Sequence, residues 1–245
     1  MPPWLSHPSC DSVPMSKTPT DKTKPKTTEI AFILDRSGSM QSHAEAAIAG
    51  FNEFLRDQQQ VEGQARLTLV LFDDRVEIPI DNIPVSEVVD LDTRTYTTRG
   101  STALLDAIGQ TVDAFKVRIR DLPARDRPDQ VIFAIFTDGE ENASTRFTWR
   151  DIAGKIRRRQ AKQGWEFLFL GANQDAIATA AQMNIHAHNA ATASFSAEGV
   201  SGSAKAFSRK ARAMRESLSA EYNAAPNEDL MKPMSEILRE EEERE

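Results

Sequence analysis

Short apolar runs alternate along this chain with segments of helical spacing, from Thr28 to Leu218. Five runs have the length and composition of buried strands, at residues 29–34, 66–72, 76–80, 130–136 and 165–170. A sixth strand is predicted near residues 191–195. Strands that alternate with helices are typical of a parallel sheet covered by helices on both faces. We therefore expect a three-layer α-β-α, Rossmann-like fold with a mostly parallel sheet of about six strands.

One connection departs from this alternation. Only Asp73-Asp74-Arg75 separates the second run from the third, and a helical crossover does not fit into three residues. The third strand is therefore predicted to pair antiparallel at one edge of the sheet, with Asp73 and Asp74 making the hairpin turn.

Helical periods fill the longer gaps, and two of their starts carry capping signals. Apolar residues share one helix face over residues 44–55, 105–115 and 200–218, and a shorter helix is predicted over residues 175–183. Ser42 with Glu45, and Thr148 with Asp151, have the spacing of capping boxes. We expect helices to begin at both places.

The two ends differ in composition from the middle of the chain. Residues 1–27 hold Pro, Ser, Thr and Lys with no hydrophobic period, so we expect a disordered leader, within which Met15 offers an alternative start. Residues 28–218 form the predicted domain. Residues 219–245 are polar, end in a glutamate run and are expected to be a solvated acidic tail.

Composition and charge narrow the class of protein. The 245 residues are 40% hydrophobic and 27% charged, as in an ordinary globular domain, and no apolar run has the length of a membrane span. A net charge of -7 disfavours non-specific nucleic-acid binding, so the basic cluster within residues 155–162 is interpreted as a solvated helix face. The single cysteine, Cys10, excludes an internal disulfide and favours the cytoplasm.

Three polar loops are the candidates for chemistry. Asp35-Arg36-Ser37-Gly38-Ser39 follows the first strand, Thr137-Asp138-Gly139 follows the fourth, and residues 97–102 precede a helix. In an open parallel sheet such loops converge outside the carboxyl ends of the strands, where ligands collect. We expect all three at one edge.

The donor atoms in these loops favour a hard divalent cation. Carboxylate and hydroxyl oxygens without His or Cys suit Mg²⁺, Mn²⁺ or Ca²⁺ better than zinc. Alternate residues of an extended turn face the same way, so Asp35, Ser37 and Ser39 can face one ion while Arg36 and Gly38 point away.

Together these residues resemble the metal-ion-dependent adhesion site (MIDAS) of the von Willebrand factor A family, as found in small bacterial or phage-type members. The resemblance covers about residues 28–218 and rests on Asp-x-Ser-x-Ser, Gly-Ser-Thr-Ala and Thr-Asp-Gly in the family's order. It implies that Ser37, Ser39 and Thr102 contact the metal through hydroxyls, and that Asp35 and Asp138 bind it directly or through water.

Other assignments around this site stay open. Thr98 and Ser101 compete with Thr102 for the threonine role, and Thr102 is preferred because Thr-Ala-Leu-Leu-Asp-Ala begins a helix as the family's motif does. Four residues are expected at the rim of the site: Gly38, Ser101, Gly139 and Glu140.

The resemblance implies a protein-binding module, not an enzyme, whose metal accepts a carboxylate from a partner protein. Two alternatives are a metal-dependent phosphohydrolase and a metal-independent scaffold of the same fold. Phosphatases that place an Asp after the first strand use a second acid two residues later, and Ser37 stands there instead. We expect neither a nucleic-acid nor a membrane partner.

Overall fold

Six strands form one sheet in the computed structural model, which describes residues 25–172, 176–194, 196–219, 225 and 227–244. The strands are β1 (Thr27–Asp35), β2 (Gln64–Phe72), β3 (Val76–Pro84), β4 (Gln130–Thr137), β5 (Glu166–Ala172) and β6 (Ala190–Ala193). All six predicted strands are confirmed, with boundaries that differ by a few residues. Phe195 and Asp175, at the ends of two predicted elements, lie outside the described residues.

The sheet has the strand order β3-β2-β1-β4-β5-β6. The pairs β1–β2, β1–β4, β4–β5 and β5–β6 are parallel. The pair β2–β3 is the one antiparallel pair in this sheet, as the short hairpin predicts. Leu34 lies opposite Phe136 in the register of β1 and β4, so the loops that begin at Asp35 and Thr137 leave the sheet at the same edge.

In the part of the chain that the structure describes, seven α-helices cover the two faces of the sheet. They are α1 (Ala44–Gln60), α2 (Leu104–Asp121), α3 (Trp149–Gln163), α4 (Ala176–Gln182), α5 (Ala197–Ser219), α6 (Glu228–Met231) and α7 (Met234–Glu242). One core joins α1, α5 and α7 to the sheet face that carries Phe32, and the other joins α2, α3 and α4 to the face that carries Ile33. The three-layer α/β fold predicted from the sequence is confirmed.

Of the two predicted capping boxes, one forms. The Thr148 hydroxyl accepts from the Asp151 amide while the Asp151 carboxylate accepts from the Thr148 amide, at the start of α3. At Ser42 and Glu45 a helix begins as predicted, but the predicted capping box is wrong, because a 3-10 turn over Gly38–His43 leads directly into α1 and brings no side-chain cap.

The C-terminal segment corrects a second expectation. Residues 234–242 are not a solvated tail but the helix α7, whose Met234, Ile237 and Leu238 are buried in the core beside α5. Residues three and four apart share a helix face, so these side chains form one apolar stripe on a helix whose other positions are polar or charged. Residues 1–24 of the predicted leader lie outside the described residues.

Within the described part of the chain, no helix combines the length and the apolar character that a membrane span requires.

Candidate metal centre

Asp35 ends β1 and is fully buried at the carboxyl edge of the sheet. Its Oδ1 accepts from the Ser37 amide at 2.7 Å, and its Oδ2 accepts from the Thr137 hydroxyl at 2.6 Å. Burial raises the pKa of Asp35 to about 6, although the hydrogen bonds from Thr137 and Ser37 oppose this shift. The carboxylate is thus held in place from the loop after β1 and from the end of β4.

The two serine hydroxyls of the first loop connect it to the loop after β4. Ser37 Oγ lies 3.0 Å from Ser39 Oγ, and Ser39 Oγ donates to Asp138 Oδ1 at 2.7 Å. Asp138 Oδ2 is buried and has no hydrogen-bond partner among the described residues. Burial also raises the pKa of this carboxyl. A buried carboxylate oxygen without a partner is costly unless a cation or a donor compensates it.

Thr102 reaches the same place from the third loop. It is buried, and its Oγ1 would lie 2.9 Å from a methyl group placed at Gly139, while Ser39 Oγ would lie 3.6 Å from the same methyl group. The hydroxyls of Thr102 and Ser39 therefore face the space beside Gly139. The competing residues Thr98 and Ser101 are half-buried and exposed, respectively.

Backbone hydrogen bonds join the loops. The amide of Gly38 donates to the carbonyl of Gly100 at 3.1 Å, and the amide of Arg99 donates to the carbonyl of Arg36 at 2.9 Å. The Thr102 amide donates to the Asn142 side chain at 2.9 Å. Because each loop is bonded to another, the site is organised by the backbone as well as by its side chains.

A buried ion pair between Arg36 and Asp73 fixes the first loop to the hairpin after β2, and the sequence did not predict it. Arg36 donates to Asp73 Oδ2 and to Glu77 Oε2, both at 2.9 Å, and Arg99 donates to the same Asp73 oxygen at 2.7 Å. Asp73 also accepts from the Arg75 amide, so it makes the predicted turn as well. The position of Asp73 directly after a strand that is parallel to β1 was the available signal.

Two acidic residues hold the segment that follows Asp138. Glu141 accepts from the amides of Leu105, Ala143 and Ser144, and Asp106 accepts from those of Thr145, Arg146 and Phe147. Glu140, by contrast, is exposed. Four of these six hydrogen bonds, the three to Asp106 and the one from Leu105, fix the segment to the start of α2.

The predicted residues therefore come together in space. Hydrogen bonds link Asp35, Ser37, Ser39 and Asp138, and Thr102 lies against Gly139 beside them. Of the predicted rim, Gly38 is bonded to the Gly100 carbonyl, whereas Ser101 and Glu140 are exposed. In the described part of the chain, no group of three or more His, Cys, Asp or Glu residues is arranged so that it could hold a metal ion. A metal here would rely on hydroxyl oxygens.

Three solved structures share this architecture at low sequence identity. Proximal thread matrix protein 1 from the mussel byssus, with a zinc-occupied MIDAS motif, has a TM-score of 0.54 and 15% identity over 77% of this chain and 46% of its own. The pilus adhesin SpaC from Lactobacillus rhamnosus GG has a TM-score of 0.57 and 13% identity, covering 77% and 30%. A von Willebrand factor type A protein from Catenulispora acidiphila has a TM-score of 0.50 and 14% identity, covering 77% and 43%.

The chain spans less than half the length of each of these structures. No protein-family model matches it, and no curated protein matches it in sequence. At this level of identity the likeness concerns the fold. The chain has the fold of von Willebrand factor type A domains.

Proposed function

We propose that this protein is a metal-dependent protein-binding module of the Mg²⁺ class, with Mn²⁺ or Ca²⁺ as alternative ions. Ser37, Ser39 and Thr102 would hold the ion through their hydroxyls, and Asp35 and Asp138 would hold it directly or through water. The observation that carries the proposal is the buried Asp138 Oδ2, which lacks a partner among the described residues beside hydroxyls from two other loops.

The donor set fits such an ion. Two carboxylates and three hydroxyls offer hard oxygen atoms, which Mg²⁺, Mn²⁺ and Ca²⁺ prefer. A divalent cation held largely by neutral hydroxyls keeps much of its positive charge, so it attracts one more oxygen, ideally the carboxylate of a partner protein. The zinc-occupied MIDAS of the mussel protein supports the proposal that this edge of the fold suits a divalent ion.

One property of the chain favours a binder over an enzyme, and another bears on the kind of partner. Ser37 stands where a phosphatase of related layout carries its second acid. Its hydroxyl, which lies 3.0 Å from Ser39 Oγ, is too weak an acid to replace a carboxyl group in proton transfer. The net charge of -7 disfavours nucleic acid as the partner. A cytoplasmic location, based on the single cysteine, remains part of the proposal.

Thermal melting with and without metal tests the proposal. A ligand that binds only the folded state stabilises it by about 2.7 kcal/mol at a hundredfold excess over its Kd, which is roughly 5–10 °C for a domain of this size. We expect such a rise with 10 mM Mg²⁺, Mn²⁺ or Ca²⁺ relative to EDTA, and its loss in Ser37→Ala with Ser39→Ala. The matched control is Ser42→Ala with Ser86→Ala, since both of these serines are exposed.

Single substitutions in the third loop identify the third hydroxyl ligand. Thr102→Val removes a hydroxyl at constant shape and is expected to weaken metal binding at least tenfold, whereas Thr98→Val and Ser101→Ala should retain it. Metal-independent melting of the wild type would contradict the proposal and favour a scaffold. Hydrolysis of p-nitrophenyl phosphate that depends on Asp35 would favour the enzyme.

A further inference from the structure

A second surface with an unusual charge pattern lies at the opposite end of the sheet from the candidate metal centre. It is a cleft of about 340 Å³ between the end of α2, the start of β4 and the end of α3. We call it the basic groove, and define it by Lys116, Arg120, Arg127 and Arg159 around a floor of Ile119 and Trp165.

Three of the four cations in the basic groove have no carboxylate partner in the described part of the chain. Lys116 is exposed and makes neither an ion pair nor a hydrogen bond there. Arg127 donates to the carbonyls of Leu122 and Arg120, both at 3.2 Å. Arg159 donates to the Gln163 side chain at 2.7 Å. These neutral contacts orient two guanidinium groups and leave their charge uncompensated.

The acidic residues around the basic groove are already engaged. Asp129, which itself lines the groove, accepts from Lys26 and from the amide of Thr27, each at 3.0 Å, and Asp121 pairs with Arg120 at 2.8 Å. A local excess of positive charge therefore remains on a chain whose net charge is -7. Such a patch attracts negatively charged partners over roughly 10 Å at 0.1 M salt.

The floor of the basic groove has a different character from its rim. Ile119 and Trp165 are apolar and nearly buried, and the Arg159 guanidinium lies 5.6 Å from the Trp165 ring centroid. Both α2 and α3 end beside the groove, and the carbonyl ends of helices disfavour an anion. An apolar group therefore suits the floor, and negative groups suit the cationic rim.

From this arrangement we infer that the basic groove binds an acidic peptide segment of a partner protein, with one apolar side chain on the floor and flanking carboxylates at Lys116, Arg127 and Arg159. The cations project from two helices and from the loop before β4, so they match several spaced carboxylates better than one compact phosphate. The C-terminal glutamates of a second copy fit less well, because Glu240 and Glu241 are already paired with Arg209.

The proposed test measures fluorescence anisotropy with a labelled peptide, Glu-Asp-Glu-Phe-Asp-Glu-Glu, in the presence of EDTA. The chelator removes divalent ions, so the result is independent of the proposed metal site. We expect saturable binding that weakens as salt rises from 0.05 to 0.5 M. Lys116→Gln with Arg127→Gln should weaken it at least tenfold, and replacing the central Phe of the peptide by Ser should weaken it as well.

The matched control is Arg56→Gln with Arg94→Gln, which removes the same formal charge at exposed positions elsewhere. It should bind as the wild type does. Lys116→Glu serves as a second variant and should also weaken binding; Lys116 makes no hydrogen bond or ion pair in the described structure whose loss could unfold the protein. Equal affinity of groove and control variants, no saturable binding by the wild type, or tighter binding of a single-stranded DNA of equal charge would each overturn the inference.

Discussion

At the scale of single residues, Gly139 limits what the candidate metal centre can accommodate. A methyl group there would lie 2.9 Å from the Thr102 hydroxyl oxygen and 3.6 Å from that of Ser39. The first of these distances is too short for an ordinary contact, so the hydroxyl of Thr102 would have to move. A glycine at this position leaves both oxygens free to face the same ion.

Gly139→Ala is therefore expected to abolish the stabilisation by Mg²⁺, measured as the difference in melting temperature between 10 mM metal and EDTA. The control is Gly154→Ala in the middle of α3, where the added methyl would meet only an Arg158 nitrogen at 3.7 Å. That variant should gain about 0.5–1 kcal/mol through helix propensity and keep its metal response. An undiminished response in Gly139→Ala would show that this space is not the site.

The motif residues were the part of the site that could be predicted residue by residue. These residues, Asp35, Ser37, Ser39 and Asp138, lie at or just beyond the ends of strands whose apolar character is local, so their arrival at one edge follows from a parallel sheet. The ion pair between Arg36 and Asp73 could not be predicted in the same way. It joins residues 37 positions apart, and it depends on how the hairpin folds onto the first loop.

At the scale of elements, the β2–β3 hairpin shows why β3 was predicted too short. Its apolar run is interrupted after Ile80 by Asp81 and Asn82, whereas the strand continues to Pro84 with an irregular register against β2. Asn82, with φ of 53°, marks the irregularity. Pairing with β2, rather than an apolar face of its own, maintains this part of the edge strand.

The carboxylates of the same hairpin are expected to make the free energy of unfolding depend on pH. The Arg36 hydrogen bond holds the pKa of Glu77 at about 2. Burial alone would raise the pKa of Asp73, but hydrogen bonds from Arg99 and the Arg75 amide, with the charge of Arg36, hold it below its ordinary value. A carboxyl whose folded pKa is lowered stabilises the fold above its unfolded pKa, about 4, and loses that contribution as the pH falls towards the folded pKa.

We therefore expect the free energy of unfolding, measured with urea in metal-free buffer, to fall from pH 5 to pH 2, and to fall less steeply in Asp73→Asn with Glu77→Gln. At pH 7 the free energy of unfolding of this variant should be about 3 kcal/mol lower than that of the wild type, because the substitutions leave the buried Arg36 without a carboxylate partner. Asp90→Asn, which removes one member of an exposed pair with Arg56, is the control and should leave the slope unchanged. Parallel slopes in all three proteins would contradict this account.

At the scale of the whole molecule, α7 extends the structured region beyond the boundary predicted at residue 218. Met234, Ile237 and Leu238 complete the core between α5 and β6, and Arg209 on α5 pairs with Asp229, Glu240 and Glu241. Buried Lys210 donates to the carbonyls of residues 229, 230 and 232. These contacts attach the C-terminal segment to the domain by charge as well as by apolar packing.

Leu238→Ala is predicted to cost about 3 kcal/mol through lost burial and the cavity left behind, which corresponds to a fall in melting temperature of roughly 6–12 °C. Arg239→Ala changes the adjacent residue, whose side chain is 68% exposed, and should shift the melting temperature by less than about 2 °C. If both variants had the same melting temperature as the wild type, α7 would contribute nothing to the stability of the domain.

The sequence by itself determined the α/β class, the six strands, the antiparallel edge and the three loops that meet beside Asp35. These features follow from local patterns, since strand and helix periods are set by neighbouring residues. Only the tertiary structure decided the Arg36–Asp73 pair, the packing of the short helix α7 and the gathering of Lys116, Arg127 and Arg159 in the basic groove. A nine-residue helix is marginal alone, and charges far apart in sequence meet only when the chain has folded, so neither can be read from local pattern.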